Sequence, residues 1–156
     1  MKLVTLLTLT VFVALASAGP EVFMEITGLI TSSFNQETGT FADNAQETLL
    51  EAHTLISEAD MSGEQEVLAL NSMNSMVTYN LACLEAVNGN NEEAFTWLEE
   101  SIESGYGDAE WMIQDEDLAG LRDDARFDVL VEAAGENFVE PEEHDCGTCD
   151  HSETCN

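Results

Sequence analysis

Residues Tyr79 to Leu130 read YNLACLEAVNGNNEEAFTWLEESIESGYGDAEWMIQDEDLAGLRDDARFDVL. Leu81, Leu84 and Val87 recur at helical spacing, and so do Ala94, Trp97, Leu98 and Ile102. Such spacing gives each segment one apolar face. Asn88-Gly89-Asn90 separates the two, with Gly89 suited to the left-handed conformation that ends helices. Asn91 is a predicted N-cap, and Glu92 and Glu93 follow where acids complement the helix dipole. Gly105 stops the second helix. Asp108 caps a one-turn helix with Trp111 and Met112 inward. Asp123 or Asp124 caps a last helix that buries Phe127, Leu130, Val131 and Ala134 and ends at Gly135.

Two further helices are predicted upstream. Val22, Phe23, Ile26, Leu29, Ile30 and Phe34 form the apolar face of the first, over Glu21 to Phe34, with Gly28 inside it. A loop follows from Asn35 to Thr40. Ala42, Ala45, Leu49, Ala52 and Ile56 mark the second, over Ala42 to Ser57, with His53 beside the stripe in a surface or packing role. Ser62 and Gln65 have capping-box spacing for a further helix. Its polar run Asn71, Ser72, Asn74, Ser75 predicts a break, with the helix resuming from Ser75 to Val87. Met73, Met76, Val77, Leu81, Leu84 and Val87 mark its buried side, and Cys83 reads as a small buried apolar residue. No run of alternating β-branched residues occurs beyond the N-terminal segment, so the fold class is all-α.

Residues 75 to 131 resemble a tetratricopeptide repeat. Leu81-Ala82, Gly89, Ala94 and Leu98 occupy the positions where that family has its small residues, turn and large apolar residues. The run from Asp115 to Phe127 looks like the segment that closes such arrays. Ser101 and Tyr106 depart from the pattern, and the upstream helices do not keep the period. The resemblance implies a short, irregular superhelix in which 21–57 packs on the repeat, because one repeat cannot bury its own face. It further implies partner binding on a concave face, for which Tyr79 and Asn80 are the candidate surface residues. Met76, Cys83 and Val87 share that helix but read as core.

The N-terminal 18 residues form a predicted signal peptide: Lys2, an apolar run from Leu3 to Leu15, and the small-residue site Ala16-Ser17-Ala18. The apolar run is shorter than the roughly 20 residues of a membrane-spanning helix. The expected organisation is a signal peptide (1–18), a helical domain (19–135) and a disordered acidic tail (136–156). The expected localisation is extracellular. Net charge is −29, with 32 acids against three Lys and Arg. Only Arg122 and Arg126 are cationic beyond the leader, and ion pairs with Asp123, Asp124 or other acids are expected for both. That balance argues against nucleic acid and anionic membrane surfaces, since both require clustered cations. Such acidity reads first as a solvated, self-repelling surface; a field that attracts cations or a basic protein or peptide partner is the alternative.

The tail holds His144, Cys146, Cys149, His151 and Cys155 within a dozen residues. In a secreted chain the first expectation is disulfide bonding. The alternative is a zinc or other divalent-metal site on Cys146, Cys149, His151 and Cys155, since Cys-x-x-Cys is knuckle spacing. Thiol-disulfide exchange ranks third, because Asp145 and Asp150 disfavour a thiolate. Asp115-x-Asp117 opens like a calcium loop but fails at Ala119 and Arg126. No nucleophile elbow, phosphate loop or His-Glu-x-x-His motif occurs. No enzyme and no cofactor is expected, and the leading reading is a secreted module that binds a protein or peptide.

Overall fold

The computed structural model describes residues 20–59 and 63–138. The predicted signal peptide, Ser62 of the predicted capping box, and the tail residues Cys146, Cys149, His151 and Cys155 lie outside them. Six α-helices and one 3-10 helix make up this region, and no strand occurs among the described residues. The all-α expectation is met.

Helix α1 (Pro20–Ser32) turns Phe23, Ile26 and Ile30 inward. Burying one such side chain contributes about 1.5–3 kcal/mol. The chain then reverses through a tight loop. Gly39 takes φ 69°, Asn35 N–H donates to Thr40 O (2.8 Å), and Phe34 and Phe41 form an isolated antiparallel bridge with their rings stacked 5.0 Å apart. Ala42 N–H donates to Ser33 O (2.9 Å). This pairing holds Ala42 in the loop, so α2 spans Ala45–Glu58 and starts three residues later than its apolar pattern suggests.

Helix α3 (Glu64–Val87) is continuous for 24 residues, about 36 Å at 1.5 Å per residue. Gly63 precedes it, and the Gly63 N–H donates to the Glu66 carboxylate (3.2 Å). The expected break at Asn71 to Asn74 is absent. Asn74 and Ser75 bond within the helix or across to the next one. Ser75 Oγ donates to Ser72 O and Thr78 Oγ1 to Asn74 O. Asn74 Nδ2 donates to Ser104 Oγ (2.9 Å), and Ser101 Oγ to Ser75 O (2.7 Å). The run marks a helix–helix contact, where small residues permit close approach.

Helices α3 and α4 (Asn91–Glu103) end alike. Gly89 (φ 81°) and Gly105 (φ 100°) follow the C-caps Asn88 and Ser104. Asn90 N–H reaches back to Glu85 O, and Tyr106 N–H to Ser101 O. These are paired Schellman closures, which satisfy carbonyls that a helix end leaves bare. Asn90, closing α3, also precedes α4 as its N-cap, one residue earlier than expected. Helix α5 (Ala109–Gln114) is capped by Asp108, whose carboxylate accepts from Trp111 N–H. The 3-10 helix (Glu116–Leu121) is capped by Asp115, and α6 (Ala125–Asn137) by Asp124. Gly135 does not stop α6. Asn137 Nδ2 donates to Ile102 O (2.7 Å) and Tyr106 O (3.1 Å), which carries the helix two residues further and holds its end against α4.

The core has two parts that share α3. Phe23, Ile26, Ile30, Leu49, Ala52, Ile56, Met73, Val77 and Leu81 form one. Ala82, Ala94, Phe95, Leu98, Met112, Leu118, Leu121 and Phe127 form the other. Phe41 and Trp97 touch both. No helix among the described residues is long and apolar enough to cross a membrane.

Candidate functional site

Two polar assemblies stand out on this scaffold. The first lies in a surface groove of about 410 Å³ between α2 and the N-terminal half of α3. Ile56, Ala59, Val67 and Leu70 supply its apolar lining, and His53, Asn74 and Glu100 its polar lining. His53 Nε2 and Glu100 Oε1 are 2.7 Å apart, and Asn74 Nδ2 donates to the same carboxylate oxygen (3.3 Å). The Trp97 ring meets the imidazole edge-on at 5.3 Å. Three helices thus converge on one histidine–carboxylate pair. Among the described residues His53 is the sole histidine, and no hydroxyl or thiol there donates to it. The surface or packing role read from the sequence fits this arrangement.

The second assembly is buried. Tyr79 and Cys83 are one helical turn apart on α3 and so share a face. Tyr79 OH donates to Asp115 Oδ2 (3.0 Å), and Cys83 Sγ lies 3.7 Å from the same oxygen. Asp115 Oδ1 accepts from Asp117 N–H (3.1 Å), and Arg122 Nη2 donates to Asp115 O (2.8 Å). Tyr106 stacks on Tyr79 with ring centroids 4.3 Å apart, and its hydroxyl has no hydrogen-bond partner among the described residues. Burial first, then Asp115 and Asp117, push the Cys83 thiol up. Burial, then Cys83, Tyr106 and Asp115, raise Tyr79, and burial raises Tyr106. All three are therefore protonated near neutrality.

This geometry corrects the expected recognition surface. Tyr79 and Asn80 are only 2% and 7% exposed, and Tyr79 packs on Tyr106 and bonds Asp115. Val87, expected in the core, is 59% exposed at the helix end. Cys83 is buried as expected, but against carboxylates. Of the two cations, Arg126 forms the expected ion pairs, with Glu92 (2.9 Å) and Asp124 (2.8 Å), and lies over the Phe95 ring at 4.0 Å. Arg122 instead bonds a backbone carbonyl.

Neither assembly was visible as such in the sequence. His53 and Glu100 are 47 residues apart with no linking motif. The i,i+4 pair Tyr79–Cys83 and the capping position of Asp115 were each legible, but only the chain reversal at Gly89 and Gly105 brings them together.

No curated protein and no solved structure matches the chain. A family described as "A/B hydrolase-like, N-terminal domain" matches residues 34–140. This overturns the resemblance to tetratricopeptide repeats. The residues that carried the resemblance serve a single close-packed hairpin: buried Ala82, Ala94 and Leu98 fill it and Gly89 closes it, as any tight helix pair requires. The chain belongs to the family of A/B hydrolase-like N-terminal domains.

Proposed function

We propose that the chain is an exported, acidic helical module that binds a basic, amphipathic protein segment in the groove between α2 and α3. The observation that carries this reading is the groove's composition. An apolar lining of Ile56, Val67 and Leu70 ends at the Glu100 carboxylate, on a chain of net charge −29. An amphipathic helix lays its apolar face in such grooves and its charges along the rim. The acidic field steers basic segments and repels acidic ones within about 8 Å at physiological salt. Export is proposed on the apolar leader ending in Ala16-Ser17-Ala18.

The test uses tryptophan fluorescence of the full chain, since Trp97 contacts His53 at the polar end of the groove. A synthetic Leu/Lys amphipathic peptide is titrated beside its Leu/Glu and Ser/Lys counterparts. Saturable binding of Leu/Lys alone, weakened by salt, is the expected result. Equal binding of Ser/Lys would reduce the effect to diffuse charge attraction, and no binding of Leu/Lys would remove the groove as a docking site.

A further inference from the structure

We propose that Cys83, Asp115 and Asp117 form a largely buried binding site for a thiophilic divalent cation of the zinc class. One ligand atom from each of the three residues lies within 4.8 Å of the others. A tetrahedral zinc, with Zn–S about 2.3 Å and Zn–O about 2.0 Å, sets its sulfur and oxygen ligands roughly 3.5 Å apart. Cys83 Sγ and Asp115 Oδ2 are already 3.7 Å apart, so a small inward shift of Asp117 closes the set. The donor types select the ion. Calcium and magnesium take oxygen ligands only, whereas one thiolate with carboxylates suits zinc and its neighbours.

Tyr106 supplies an independent observation. It is 6% exposed, its ring lies on Tyr79, and its hydroxyl alone among the buried side-chain polar atoms described has no partner. Buried polar groups are nearly always satisfied, and an orphan calls for an explanation such as an ion or a water. Three protein ligands leave a fourth position for a solvent molecule, and that molecule is assigned as the partner of the Tyr106 hydroxyl, one stacked ring away from the Tyr79–Asp115 hydrogen bond. The surroundings fit as well. The Tyr79 hydroxyl donates to Asp115 and Arg122 holds the Asp115 carbonyl, so a ligand carboxylate is oriented from outside. Asp117 also lines a surface cleft of about 280 Å³ beside Phe34, Phe41 and Leu84, so one ligand of the set is reached from solvent. Burial shields Cys83 from oxidants. A thiol must lose its proton to ligate a metal, so binding weakens as pH falls.

The test titrates the reduced, metal-stripped full chain with Co²⁺, a spectroscopic stand-in for zinc, followed by Zn²⁺ displacement. One equivalent with a sulfur-to-cobalt charge-transfer band is expected. It persists when Cys146, Cys149 and Cys155 are all replaced by Ser, and it is lost in Cys83→Ser. Asp117→Asn, which removes a ligand, weakens binding by at least about tenfold, and Tyr106→Phe by about tenfold, the effect typical of a ligand-supporting group. Asp117 is half-buried, so Asp117→Asn, with its circular dichroism unchanged, reads the site even if Cys83→Ser unfolds. Cobalt binding unaffected by Asp117→Asn, binding abolished by the tail substitutions, or no binding to the wild-type chain would each overturn the proposal.

Discussion

Tyr79 and Tyr106 stack as near-parallel rings yet hold their hydroxyls differently, so the same deletion should act oppositely on the two. Tyr79→Phe strips the buried Asp115 carboxylate of a donor at 3.0 Å and is expected to cost about 1–3 kcal/mol in denaturant unfolding of the metal-free chain. Tyr106→Phe removes a hydroxyl that has no partner and should be neutral or stabilising under the same conditions. Equal losses in the two variants would show that the hydrogen bond to Asp115 is not what distinguishes them. Arg126 is the other residue with a sharp expectation. Its hydrogen bonds hold Glu92 and Asp124 below the usual carboxylate range. A carboxylate depressed on folding contributes stability that is full above its unfolded value, about 4, and lost as pH falls through the lower folded value. Arg126→Ala should therefore melt below the wild type at neutral pH, and by more than Asp123→Ala does. The gap should narrow below about pH 4. A gap unchanged into acid would assign the loss to the contact with Phe95 instead.

At the scale of elements, helix α6 is fixed by its end as much as by its apolar face. A Cβ at Gly107 would stand 3.1 Å from the backbone of Asn137 and Phe138, so Gly107→Ala must push the end of α6 away. The expected loss is about 1–3 kcal/mol. Gly135 lies inside α6, and a Cβ there would meet Ala109 Cβ at an ordinary 3.8 Å. Gly135→Ala should then stabilise by about 0.5–1 kcal/mol, because glycine is the poorer helix former. Thermal or chemical unfolding of the two variants checks both signs. These glycines also show where sequence reading stops. Gly89 and Gly105 were legible as helix ends, because a positive-φ stop is a local requirement. Gly135 looked like a stop and is not one, since Asn137 finds carbonyls on α4 that no local pattern announces. The polar run from Asn71 to Ser75 misled in the same way: Asn74 bonds Glu100 and Ser104, and the Ser75 carbonyl accepts from Ser101, about 26–30 residues away. Periodicity located the helices and most of the core. It could not say which polar residues face a neighbouring helix, and it placed Tyr79 and Asn80 on the surface although both are buried.

Across the whole molecule, the 32 acids leave the fold little cationic counterweight, and both cations beyond the leader are engaged: Arg122 on the carbonyl of Asp115, Arg126 between Glu92 and Asp124. The surface therefore presents uncompensated negative charge around an apolar groove, the combination on which the binding proposal rests. Charge alone would attract any basic segment anywhere, so a decisive measurement must separate the groove from the field. Val67 is exposed on the groove's apolar lining, and Glu100 is the carboxylate at its polar end. Calorimetric titration of the Leu/Lys peptide into the wild-type chain and into a Val67→Ser, Glu100→Gln double variant makes that separation, because the variant removes one of 32 acids and leaves the overall field almost intact. Affinity reduced by about tenfold or more, with helix content unchanged, is the predicted result, since loss of an apolar anchor and a rim charge together is worth about 1.4 kcal/mol or more. An unchanged dissociation constant in a folded variant would contradict the groove as the binding site.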